Sequence, residues 1–108
     1  MPIPKHLQPI LAELKRGLQE IYGDRLRAVV LFGSQARGEA TADSDVDVAV
    51  VLDHVEDSYR EIDRMGDVFW ELSYGHDLLL TSVPVCESEW RQRDNRFFRN
   101  LRREGVAL

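Results

Sequence analysis

The 108-residue chain has one cysteine, Cys86, so it can form no internal disulfide framework. A lone thiol among apolar neighbours is expected to be a small buried hydrophobe, which fits a reducing cytoplasm. Long apolar runs are also missing. None approaches the ~20 residues needed to cross a bilayer, and Met1 to His6 carries no charged-then-apolar leader, so a cytoplasmic protein without membrane contact is expected. The three histidines, His6, His54 and His76, have no ligand-like spacing with one another or with Cys86, which argues against a zinc site. No repeat, linker or low-complexity stretch divides the chain. With 44% hydrophobic residues, it is expected to form one domain over 1–108.

Positive charge is scarce where it would matter for nucleic acid. The net charge is −5, and Gly38 to Asp77 holds twelve carboxylates against only Arg60 and Arg64. Such a segment repels a phosphate backbone unless divalent cations sit on it, which argues against autonomous nucleic-acid binding and raises the question of metal. Glu87 to Glu104 reverses the balance, with six arginines against four carboxylates. Those arginines are expected on a solvated helix face, with Arg102 and Arg103 favoured by the helix C-terminus, or on a docking surface for an acidic partner.

Helical periodicity in Ile10, Leu11, Leu14, Leu18 and Ile21 predicts a first helix from Leu7 to Tyr22, ending at Gly23. Leu26 to Phe32 reads as a strand covered on both faces, and Val46 to Leu52 as a second strand. Ser58 and Glu61 form a capping-box signature for a helix whose stripe of Ile62, Met65, Phe69 and Leu72 stops at Gly75. His76 to Val83 predicts a third strand. Ser88 then caps one last helix carrying Trp90, Phe97, Phe98 and Leu101 on a core-facing side, closed by Gly105 and followed by a short strand at Val106 to Leu108.

The chemistry concentrates between the first two strands. Gly33-Ser34 directly after a buried strand can turn the chain sharply and aim backbone N–H groups and a hydroxyl at phosphate oxygens; an ordinary turn uses the same residues. Asp45 and Asp47, two residues apart along a strand, project from one face roughly 7 Å apart at the backbone. Like charges held this close are costly unless a hard cation compensates, although a solvated strand edge would also carry them. Asp43 and Ser44 are suited to shaping the loop by local hydrogen bonds. In a haloacid-dehalogenase-type phosphatase the strand precedes the Asp-x-Asp, whereas here it follows. A glycosyltransferase would be much longer, and a Walker loop would end in Gly-Lys-Ser/Thr.

A strand followed by GSQARGEATADSDVDVAV resembles the Gly-Ser…Asp-x-Asp signature of the DNA polymerase β-like nucleotidyltransferases. Within that superfamily, GSxARG with DSDxD resembles the minimal nucleotidyltransferase (MNT) family. The resemblance implies an α/β (α+β) fold, a small mixed β-sheet packed on helices. It also implies that Gly33 and Ser34 hold the triphosphate of ATP while Asp45 and Asp47 bind two Mg²⁺ ions, or Mn²⁺ in their place. Arg37 of the motif would contact phosphate or pair with Glu39 or Asp43. A third carboxylate is expected on a neighbouring strand, and Asp77, at the head of Leu78-Leu79-Leu80, is the residue the family pattern selects. It would ligate the nucleophile-side metal or accept the hydroxyl proton.

The same resemblance implies AMP transfer to an acceptor hydroxyl, with a helical HEPN toxin as partner, one of its tyrosines as acceptor, and an antitoxin role for this chain. Two other functions are compatible: nucleotidyl transfer to a small molecule, as in aminoglycoside-modifying relatives whose additional helical domain is not expected here, and a non-catalytic antitoxin that only covers its partner. The intact Gly33, Ser34, Asp45 and Asp47, together with Asp77, argue against a decayed site.

Overall fold

A computed structural model describes residues 3–41 and 43–108. Met1 and Pro2, part of the segment expected to carry no leader, and Ala42 of the motif lie outside the described residues. The elements run α1 (Gln8–Tyr22), a 3-10 turn, β1 (Leu26–Phe32), α2 (Ser34–Arg37), β2 (Val46–Leu52), α3 (Ser58–Gly75), β3 (Leu80–Cys86), α4 (Glu87–Gln92), α5 (Arg96–Glu104) and β4 (Val106–Ala107). No helix among the described residues is long and apolar enough to cross a membrane.

One mixed sheet has the order β3-β2-β1-β4. β1 pairs antiparallel with β2 and β4, whereas β2 and β3 run parallel, with α3 as the crossover between them. Strand alternation divides the core. Val46, Val48, Val50 and Leu52 pack with Leu11, Leu14, Leu18, Met65 and Phe69 of α1 and α3. On the opposite face, Ala49, Val51, Val30 and Val85 pack with Phe98 and Leu101 of α5. Because both faces are covered, β1 and β2 are nearly continuous apolar runs, as their sequence predicts.

Cys86, expected to be buried, is half-buried, and Ile62 and Phe97 of the expected apolar stripes are exposed. At the level of whole elements and their caps, the expectations fail at four places for identifiable reasons. α3 is capped by Asp57, whose carboxylate accepts from the N–H groups of Tyr59 and Arg60. Glu61 does not complete a capping box with Ser58. It is buried, accepting from the Tyr22 hydroxyl at 2.9 Å and from Arg25 at 3.2 Å, and so ties α1 to α3. Burial, then this bond, pushes the Tyr22 hydroxyl above its ordinary range and keeps it a donor.

The third strand begins at Leu80, not His76. α3 ends through the Leu78 N–H bonded to the Ser73 carbonyl, with Asp77 at φ 51° in the left-handed position that closes a helix. The strand continues through Pro84, which β3 tolerates as an edge strand with one unpaired side. The last helix is two helices, because Asn95 caps α5 by accepting from the Phe98 N–H at 2.8 Å. Arg102 donates to the carbonyls of Trp90 and Arg93, covering the end of α4. Finally, Ser34–Arg37, read as a turn, is a single helical turn closed by Gly38 at φ 75°.

Candidate active site

The two halves of the motif meet at one end of the sheet. In the antiparallel register Phe32, the last residue of β1, lies opposite Asp47, so the chain turning at Gly33 passes directly beside the Asp47 side chain. Gly33 adopts φ 74°, and a Cβ placed there would stand 2.4 Å from Asp47 Oδ2. Glycine is therefore required twice, for the left-handed backbone and for the space occupied by the carboxylate. Ser34 follows as the first residue of α2, which brings its hydroxyl to the same end of the sheet.

Asp45 and Asp47 differ in their surroundings. Asp45 precedes β2, is exposed and forms no hydrogen bond or ion pair among the described residues. Asp47 is half-buried on the α5 side of the sheet and accepts a 2.7 Å hydrogen bond at Oδ1 from the Thr81 hydroxyl. In the parallel β2–β3 register Thr81 is the partner of Asp47, so a row of Phe32, Asp47 and Thr81 crosses three strands on one face.

Asp77 is not at the start of β3, as the sequence led us to expect, but on the exposed turn before it. There it lines an open groove of about 740 Å³ with Phe69, Trp70, Tyr74 and Leu79. The strand position beside Asp47 belongs to Thr81 instead. Among the described residues, no three His, Cys, Asp or Glu side chains are grouped closely enough to hold a metal ion. Asp53, further along the chain, is tied to Arg25 at 3.1 Å at the far end of β2. Arg37 is exposed and donates to Glu39 at 2.6 Å, a bond that raises its pKa further, and its guanidinium lies 3.8 Å from Glu104. The expected ion pair to Glu39 is thus present.

Thr81 is the site residue that sequence reasoning missed. Its signal was the polar and β-branched run Thr81-Ser82-Val83, which the three leucines before it obscured.

The arrangement offers an exposed carboxylate, Asp45, and an anchored one, Asp47, next to a glycine-serine turn, and these are the residues that could hold a small hard cation. Mg²⁺ is commonly bound through one or two carboxylates plus substrate phosphates, so this donor set fits it.

Similarity to known proteins identifies the family. Residues 11–103 match the family model described as a nucleotidyltransferase domain. The chain is 28% identical over 99 residues to a protein of Methanocaldococcus jannaschii named as a protein adenylyltransferase, covering 91% of this chain and 93% of the relative. Its fold is similar to a toxin–antitoxin solved with AMP-PNP, at TM-score 0.62 and 21% identity, over 89% of this chain and 69% of that one. It is also similar to a chain in the complex of tri-AMPylated Shewanella oneidensis HEPN toxin with its MNT antitoxin, at TM-score 0.58 and 18% identity, over 93% of this chain and 69% of that one. The chain belongs to the nucleotidyltransferase domain family, and it shares its fold with the minimal nucleotidyltransferases of toxin–antitoxin pairs.

Proposed function

We propose that this chain transfers AMP from ATP to a tyrosine hydroxyl of a helical, HEPN-type partner and thereby acts as its antitoxin. The observation that carries the reading is the meeting of Asp45 and Asp47 with the Gly33-Ser34 turn at one end of the sheet. Gly33 and Ser34 receive the triphosphate, with backbone N–H groups and the hydroxyl as donors. Asp45 and Asp47 would hold Mg²⁺, which when bound would neutralise charge on the triphosphate and the leaving pyrophosphate. The acceptor hydroxyl oxygen attacks the α-phosphorus and releases its proton to solvent water, the bond from the α-phosphorus to the α,β-bridging oxygen breaks, and pyrophosphate leaves.

Arg37, which pairs with Glu39 and lies near Glu104, would exchange a carboxylate for a phosphate oxygen. In this reading Asp77 belongs to the groove wall and to the closure of α3, and Asp45 and Asp47 are the metal-binding pair. The names of the similar proteins support AMP as the transferred group and a HEPN toxin as acceptor.

Titration calorimetry tests the nucleotide site directly. ATP is expected to bind with Mg²⁺ present and weakly in EDTA, and the difference is expected to vanish in Asp47→Asn. Equal ATP affinity with and without Mg²⁺ in the wild-type chain would remove the metal from the account.

A further inference from the structure

We infer that Thr81 is a positioning residue for the metal-binding carboxylate of Asp47, standing in the register position where a third carboxylate would otherwise complete the site. The inference rests on the reading of Asp45 and Asp47 as the metal-binding pair. Asp47 is constrained from two sides. The Thr81 hydroxyl holds Oδ1 at 2.7 Å, and on the other side Oδ2 occupies the space left by the missing Gly33 side chain. No other side chain among the described residues bonds to Asp47, so rotation of the carboxylate is opposed on the β3 side by this hydroxyl alone.

Threonine suits the task. Its β-branch restricts χ1 on a strand, and the β2–β3 ladder fixes its backbone opposite Asp47, so the hydroxyl is delivered in a set direction. A carboxylate at position 81 would be repelled by Asp47 whenever no cation was bound, whereas a hydroxyl donates to it with or without one. Asp45, by contrast, is exposed and has no bonding partner among the described residues, so the pair consists of one ligand fixed in advance and one that closes onto the ion. Partners that orient metal ligands in this way typically contribute about 10- to 100-fold in metal affinity or activity.

Mn²⁺ binding in the presence of a non-hydrolysable ATP analogue, followed by electron paramagnetic resonance, separates this role from a structural one. Thr81→Val is expected to weaken Mn²⁺ affinity by at least ~10-fold and Thr81→Ser to restore it to within about threefold, with circular dichroism spectra unchanged. Should Thr81→Val fail to fold, Thr81→Ala is held to the same criterion. Wild-type affinity in the folded Val or Ala variant overturns the inference, as does a Ser variant as weak as Val. Failure of the underlying reading looks different: the wild-type chain would then bind Mn²⁺ no better than Asp47→Asn does.

Discussion

Asp47→Asn is expected to lower AMP transfer by roughly three or more powers of ten, because losing one member of a cooperative catalytic unit removes nearly the whole effect of the unit. The substitution keeps the size of the side chain and an oxygen able to accept from Thr81, and Asp47 lies outside both apolar clusters, so stability is expected to change little. Asp77→Asn provides the contrast. Asparagine tolerates the left-handed conformation found at this turn, and the side chain is exposed, so transfer is expected to stay within a few-fold of wild type. Initial rates with labelled ATP on both variants check the two halves of the expectation. A folded Asp77→Asn protein as inactive as Asp47→Asn would return Asp77 to the catalytic set.

The second large effect is expected at Gly33. Gly33→Ala forces a side chain into φ 74° and places its Cβ 2.4 Å from Asp47 Oδ2, so the carboxylate must swing away. The backbone strain costs about 1–2 kcal/mol. Displacing a reacting group by about 1 Å can cost on the order of 100-fold in rate, and transfer should fall by at least that factor. Thermal denaturation together with Mg²⁺-dependent ATP binding distinguishes the two consequences: a modest drop in Tm with loss of the metal-dependent binding is expected. Wild-type binding in Gly33→Ala would show that the turn does not constrain the carboxylate.

The parts of the fold legible in the sequence are those governed by local pattern. β1 and β2 announce themselves as apolar runs because both faces are covered, and α1 and α3 by their 3.6-residue stripes. The Gly33-Ser34 turn and the Asp45/Asp47 pair were likewise readable, since each lies at the edge of an obvious strand. Features set by relations between elements were not. Where β3 begins depends on how α3 closes, and Asp77 in a left-handed conformation carries no periodic signal. The role of Thr81 depends on the β2–β3 register, which no spacing within either strand encodes. The break between α4 and α5 is an Asn95 cap inside a stretch of charged residues that reads equally well as continuous helix. Glu61 fits a capping box by sequence, but burial against Tyr22 and Arg25 gave it another use.

The open position of the site bears on what completes it. Asp45, Arg37 and the turn at Asp77 are exposed, so the end of the sheet lies open to an incoming acceptor. Charge is also divided along the chain, with twelve carboxylates between Gly38 and Asp77 and six arginines between Glu87 and Glu104. A division of this kind steers association toward a charge-complementary protein more than toward free nucleic acid.

The most direct measurement is to incubate the chain with α-phosphate-labelled ATP and Mg²⁺, alone and with a helical HEPN-type protein as the proposed partner, and then locate the label by mass spectrometry. The account predicts little product from the chain alone and an added AMP mass on a tyrosine of the partner, absent in EDTA and absent with an Asp45→Asn, Asp47→Asn double variant. Rapid transfer to a small molecule by the chain alone would contradict it. So would a partner silenced as completely by the double variant as by the wild-type chain, because covering the partner would then be the whole of the function.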